Sequence, residues 1–238
     1  SQEIIFSENN NNKIDQINLS LKGKFFCNIE KFNSLINTDL VITQGFVCST
    51  KNNYTCLLSR GGSDTTASIL ATSIKAKQLE IWTDVNGIYT ADPNSIKNVK
   101  IISNIDYDIC QELSAMGAKV LHPYCVKPCQ EKNIPIYIKN TFDSESKLNT
   151  VISSKVFNNS DTIYSITNQK DITVFCITSL DMWNDYGFVS DIFSIFSKLN
   201  IDINIIITSQ FSISCTTNEL SLEKITLAKN ELNIKYEV

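Results

Sequence analysis

The residues richest in chemistry are LSRGGSDTTA, positions 58–67. Gly61 and Gly62 let a ligand come close to the backbone, and a helix starting there turns unpaired N–H groups and a positive dipole end toward an anion. Arg60 carries a two-pronged guanidinium suited to a carboxylate or a phosphate. Asp64 could orient neighbouring groups or a metal-bound phosphate, and Ser63 or Asp64 would cap the helix. The same ten residues fit an ordinary Gly-Gly turn with an Asp cap and a surface arginine, and alone they leave the two readings level.

A second cluster, WTDVNGIYTADP at positions 82–93, follows a strand pattern. Ligands of open α/β sheets bind outside the carboxyl ends of strands. Thr83 and Asp84 fall there with groups able to hold a ribose or an adenine, and Tyr89 could stack or hydrogen-bond. An Asn-Gly turn followed by Asp-Pro is also common in plain loops. A third cluster, SAMGAKVLHP at 114–123, joins two helices through a glycine. Lys119 could set an ammonium on transferring phosphates. His122, standing before Pro123 at a helix start, reads as a structural hydrogen-bonder more than as a base.

Strands and helices must hold these clusters in place. Residues 24–29 (KFFCNI) and 39–44 (DLVITQ) read as buried strands, short and β-branched or aromatic. Residues 63–77 place Ala67, Ile69, Leu70 and Ile74 near helical spacing, and a strand follows at 79–82. Helices are expected over 107–116 and 123–132, the second with proline in its first turn, and a strand over 134–138. Alternating strands and helices imply an α/β fold with a mostly parallel sheet. Polar stretches at 141–150 and 157–161 put a boundary near 155–165, giving domains 1–158 and 159–238. Beyond it the pattern reads strand (171–178), helix (187–199), strand (202–209), strand (211–216), helix (222–232), strand (234–238). That is βαββαβ, the ferredoxin-like arrangement.

Composition narrows the partners. Hydrophobic residues make up 42% of the 238, enough for a sizeable core. The net charge of -4 and only 21 scattered Lys and Arg argue against a nucleic-acid binder. No apolar run reaches the roughly 18 residues of a membrane span. The eight cysteines include no CxxC pair, and the single His122 has no metal partner at finger spacing. Buried thiols in a reducing, cytoplasmic setting are expected.

ITQGF (42–46), SRGGSDTTA (59–67), WTDVNGIYTADP (82–93) and MGAKVLHP (116–123), in this order and spacing, resemble the aspartate kinases of the amino acid kinase family. The likeness is greatest to their lysine-sensitive, single-function type. It implies the nucleotide-binding, C-terminal portion of a three-layer αβα sandwich, followed by an ACT regulatory domain. The implied reaction is ATP-dependent phosphorylation of the L-aspartate side chain, with Mg2+, at the head of lysine, threonine and methionine biosynthesis. A cytoplasmic homodimer is implied as well.

By position, the resemblance makes Arg60, Asp64 and Lys119 the catalytic set. Arg60 would bind the α-carboxylate of aspartate, with Gly61, Gly62 and Ser63 lining the acceptor site. Thr83, Asp84 and Tyr89 would hold the nucleoside and Lys119 the phosphates. The family carries a cation where Asn94 stands and a glycine where Ser59 stands. In the regulatory segment, Met182, Asp185, Gly187, Phe188, Val189, Ile203, Asn204, Ser209 and Gln210 match effector positions. Acidic residues of the lysine-binding type are replaced by Asn204 and Gln210, which weakens attraction for an ammonium. Lysine is the expected effector, and threonine or none stays open.

Two family elements, a Lys-Phe-Gly-Gly phosphate loop and a Ser-x-Gly-Glu element, do not occur in the 238 residues. The resemblance therefore implies little or no kinase activity for the polypeptide as written, and normally a second ACT domain after Val238. A catalytically incomplete amino-acid-binding regulatory module is the alternative from another class. A sister kinase acting on glutamate, carbamate or UMP is a third.

Overall fold

The computed structural model describes residues 4–7, 20–21, 25–35, 39–50, 53–58, 61–118, 120–146, 148–154, 163, 165–179, 187–218, 220–234 and 236. The chain forms two compact units, Ser1–Asn168 and Gln169–Val238. The boundary expected at 158/159 lies outside the described residues.

In the first unit, short strands β1 (Ile5–Ser7), β2 (Ser20–Leu21), β3 (Phe25–Cys27), β4 (Val47–Thr50) and β5 (Thr55–Leu58) pair in the order β2-β5-β4-β1-β3. The strand expected at 24–29 shrinks to β3, because the Asn28 side chain accepts the Lys31 N–H at 3.0 Å and starts helix α1 (Ile29–Leu35). The strand expected at 39–44 is overturned. Leu40, Val41 and Ile42 are exposed, Ile42 by 89%. Apolar, β-branched composition supplies propensity only, and no strand among the described residues lies beside this run to take its N–H and C=O groups. Pairing instead falls to the hairpin of β4 and β5, which sets Cys48 opposite Cys56.

Helix α2 (Gly62–Ser73) leads into a second sheet of β6 (Leu79–Thr83), β7 (Asn104–Ile105), β8 (Ile136–Asn140) and β9 (Thr150–Ile152), in the order β6-β8-β9-β7. Strands β6 and β8 run parallel, whereas β9 is antiparallel to β8, so both sheets are mixed where a mostly parallel one was expected. Helices α3 (Tyr107–Ala115) and α4 (Pro123–Glu131) start close to their expected positions. Asp106 caps α3 by accepting the Asp108 N–H at 2.9 Å, and Pro123 opens α4. The two helices and the sheet share one core, with Tyr107, Cys110, Cys125, Val126 and Cys129 against Ile81, Ile136, Ile138 and Ile152. All eight cysteines are free thiols, six of them buried. Burial pushes Cys110 and Cys129 up to about 12, which keeps them protonated and poor nucleophiles. No helix among the described residues is long and apolar enough to cross a membrane.

The second unit is a three-stranded antiparallel sheet, β10 (Ile172–Thr178), β12 (Ser212–Asn218) and β11 (Ile205–Thr208), in the order β10-β12-β11. Helices α5 (Phe188–Lys198) and α6 (Leu222–Asn233) supply Phe188, Ile192, Phe196, Ala228 and Leu232 to its core. This βαββα order follows the expected one. Of the last expected strand, 234–238, Ile234 caps α6 in helical geometry and residues 235, 237 and 238 lie outside the described residues.

Candidate functional site

The site is built around the start of α2. Gly61 is its N-cap in a left-handed conformation, φ 72°, and no side chain caps the helix. The cap expected from Ser63 or Asp64 is therefore corrected: glycine's backbone freedom makes the turn, and both side chains are left in the first turn of the helix. Thr65 and Thr66 donate back to the carbonyls of Gly61 and Gly62 at 3.1 and 2.8 Å.

Three sequence clusters converge on this turn. A Cβ added to Gly61 would stand 2.2 Å from the His122 Cβ, so the LHP segment lies directly on the glycine. A Cβ on Gly62 would stand 2.5 Å from the Phe46 ring, and one on Gly45 3.1 Å from the Ser63 Cα. Phe46 takes up φ 74°, its N–H held by Thr66 Oγ1 at 3.0 Å and its carbonyl by the Leu58 N–H at 2.8 Å. ITQGF, GGSD and LHP thus meet at one helix start. His122 caps α4, its ring Nδ1 accepting the Tyr124 N–H at 3.4 Å, the structural role its place before Pro123 suggested.

Asp64 is half-buried. Burial raises its carboxyl above the ordinary value, and the His122 backbone N–H and the charge of His122 pull the other way. Arg60 and Lys119 lie outside the described residues. Among the described residues, no group of three or more His, Cys, Asp or Glu side chains could hold a metal ion.

The second half of the site lies at the carboxyl ends of parallel strands β6 and β8. Thr83 and Asn140 end them side by side, and the Thr141 N–H donates to the Thr83 carbonyl at 2.8 Å. The Thr83 hydroxyl donates to Asp84 Oδ1 at 3.1 Å, and Asp84 is exposed. The Asn140 amide donates to Asn86 Oδ1 at 2.8 Å and ties the Asn-Gly turn to β8. The chain then folds back on itself, with Tyr89 bridged to Ile101 and the Ile102 N–H donating to the Ile88 carbonyl at 2.8 Å. Asn94 turns both its N–H groups onto Asp92 Oδ1, at 2.9 and 3.2 Å, in a local turn.

Reasoning from the sequence missed Thr150. This fully buried residue opens β9, and its hydroxyl accepts the Ile88 N–H at 2.8 Å and donates to the Ile102 carbonyl at 2.7 Å. A Cβ on Gly87 would stand 2.3 Å from that oxygen. Thr150 therefore pins the loop carrying Asp84 and Tyr89. Nothing in a lone threonine after a polar stretch announces this.

Residues 7–140 match the model described as the amino acid kinase family. The chain belongs to that family. It is 36% identical over 181 residues to lysine-sensitive aspartokinase 3 of Escherichia coli K12, covering 76% of this chain and 40% of that protein. The crystal structure of E. coli aspartokinase III with aspartate and ADP superposes with a TM-score of 0.73 at 28% identity, over 97% of this chain and 53% of that one. The aspartate kinase of Clostridium acetobutylicum gives 0.76 at 32% identity, over 88% of this chain and 50% of that one. The chain thus spans roughly half the length of the proteins it matches, or less.

In this amino acid kinase chain the candidate effector residues are spread over the second unit. Gly187 caps α5 at φ 113°, Val189 is exposed, and Phe188 is a core residue with its ring centroid 4.7 Å from that of Tyr236. Ile203 packs against the same core. The Ser179 N–H donates to the Phe211 carbonyl at 3.0 Å, so the exit of β10 adjoins the β11–β12 turn with Ser209 and Gln210. Ser209 shares its hydroxyl with Ser212 at 2.7 Å, and Gln210 is exposed. Asn204 sits at the other end of β11, donating to Asn218 Oδ1 at 3.0 Å. Five residues of strand put Asn204 and Ser209 about 16 Å apart, so one unit does not bring them to one small ligand. Met182 and Asp185 lie outside the described residues.

Proposed function

We propose that this kinase domain transfers the γ-phosphoryl group of ATP to the side-chain carboxylate of L-aspartate, yielding aspartyl-4-phosphate and ADP for lysine, threonine and methionine biosynthesis. The observation that carries the reading is the convergence of GF, GGSD and LHP at the α2 start. Proteins similar to it over most of its length are aspartate kinases, one of them solved with aspartate and ADP bound.

The chemistry fits the residues. The acceptor is a carboxylate already ionised at neutral pH, so its oxygen attacks the γ-phosphorus without losing a proton, and the bond to the bridging oxygen of ADP breaks. Positioning and charge do the rest. The N–H groups at Gly62, Ser63 and Asp64, which have no acceptor within the helix, and the α2 dipole would receive anionic oxygens, and Arg60 would hold the α-carboxylate of aspartate. Thr83, Asp84 and Tyr89 hold the nucleoside, and Lys119 the phosphates. Mg2+ bound with the nucleotide would neutralise phosphate charge, and Asp64 at the α2 start would offer it a hard carboxylate oxygen.

The second unit is read as an ACT domain giving feedback control, with lysine as effector and threonine as the alternative. Strand β11 is an edge whose Ile205, Ile206 and Ile207 are exposed. Antiparallel pairing of two such edges about a twofold axis would set Asn204 beside Gln210 of the partner subunit, so a homodimer is proposed too. Eight unpaired thiols suit the cytoplasm.

The test is aspartate-dependent ADP release, with the acyl phosphate trapped as a hydroxamate, by the native protein that carries these residues. Turnover is expected with L-aspartate and none with glutamate, carbamate or UMP. ADP release indifferent to aspartate would sink the reading. Calorimetric titration with lysine and with threonine decides the effector. Binding of either without any turnover would favour the regulatory module.

A further inference from the structure

Residues 165–168 leave the first unit and deliver the chain to Gln169, where the second unit begins. They do not hang free. The Ser165 hydroxyl donates to the Tyr89 carbonyl at 3.0 Å, and the Ile166 N–H donates to the Thr90 carbonyl at 2.9 Å. The segment therefore runs beside the chain reversal in which Tyr89 bridges Ile101 and the Thr90 N–H donates to the Lys100 carbonyl at 2.9 Å. Two residues on, the Asn168 carbonyl lies over Gly117, where an added Cβ would stand 3.1 Å from that oxygen. Gly117 has φ 107°, and Lys119 follows it by two residues. One short strap thus touches both loops assigned to the nucleotide.

The side chain of Ile166 is 67% exposed, so burial of apolar surface does not hold it. Its attachment is through backbone and hydroxyl hydrogen bonds to the loop of Tyr89 and through close approach to Gly117.

We propose that residues 165–168 are a positioning element of the nucleotide site, fixing the Tyr89 loop relative to the turn at Gly117, an inference that rests on the nucleotide reading above. Ser165 and Ile166 are positioning residues that touch neither substrate.

The experiment is calorimetric titration of ADP into the native protein that carries these residues, as wild type and as Ser165→Ala, Ser165→Thr and Ile166→Pro. Ser165→Ala and Ile166→Pro each remove a donor, and each is expected to weaken ADP about three- to tenfold. Ser165→Thr keeps the hydroxyl and should bind within about twofold of wild type. The KM for aspartate should stay within about twofold in all three, a split that general loosening of the fold would not produce. Wild-type ADP affinity in Ser165→Ala and Ile166→Pro overturns the inference, as does an aspartate KM that rises in step with the ADP Kd. A wild-type protein that binds no ADP sinks the nucleotide reading and the inference with it. ADP binding without aspartate turnover sinks only the assigned substrate and leaves the strap measurable.

Discussion

Replacing Gly61 by alanine should be among the most damaging single changes in the first unit. At φ 72° an L-residue costs about 1–2 kcal/mol in backbone conformation alone. The new Cβ would also stand 2.2 Å from the His122 Cβ, well inside contact distance. Relief requires His122 to move, but His122 caps α4, and α4 seats Cys125, Val126 and Cys129 at zero exposure in the core. Backbone strain and overpacking together should cost about 3 kcal/mol or more, a large part of the roughly 5–15 kcal/mol that holds a domain folded. Thermal and denaturant unfolding would show it as a clear loss of Tm and of midpoint. Ser63→Ala, an exposed change two residues along, should cost under about 0.5 kcal/mol and serves as the control. If Gly61→Ala unfolds with the wild type, the LHP segment does not lie on the glycine turn. Aspartate affinity should fall in the same variant, because Arg60 precedes the displaced residue.

Much of this site was legible from residue types because local rules decide it. Pro123 and Asp106 mark helix starts by what they do to one N–H each, and α3 and α4 begin where those marks stand. The helix after GGSD was equally plain, but its cap was not. Ser63 and Asp64 are good capping residues in isolation, and the choice of Gly61 depends on His122 pressing from 61 positions away. The run 39–44 shows the same limit from the other side: its composition is that of a strand, yet β-structure needs a neighbour, and composition cannot supply one. Between β4 and β5, Asn53 takes up φ 62° and its N–H donates to the Thr50 carbonyl at 3.0 Å, a backbone state that composition does not announce. Thr150 was invisible for a related reason. Its two hydrogen bonds reach 62 and 48 residues back along the chain, and nothing local distinguishes it from any threonine. Phe188 is the opposite case: the motif pointed to a ligand position, and the fold buries the side chain against Tyr236.

Asp64→Asn should separate stability from activity. In the folded chain burial raises the Asp64 carboxyl above its ordinary value, with the His122 N–H and charge only partly opposing it. A raised folded value means the folded state holds the proton more tightly than the unfolded chain does. Stability therefore falls as pH rises from the unfolded to the folded value, and stays at the lower level above both. Above both values the buried, ionised Asp64 is a net cost to folding, which the proposed role of an anionic oxygen at the head of α2 would account for. Asparagine keeps the shape and removes the charge. Its Tm at pH 7 should equal or exceed that of the wild type, and the difference should shrink as pH falls through the folded value of Asp64. Aspartate-dependent turnover should drop about a hundred- to a thousandfold, the scale on which a single preorganised electrostatic group acts. Paired melting curves at pH 7 and in mild acid, together with kcat/KM for both substrates, measure the two effects separately. A variant that lost Tm at pH 7 in proportion to its activity would make Asp64 a structural residue. A variant more stable but nearly inactive would identify it as a group whose charge the fold accepts for the sake of the reaction.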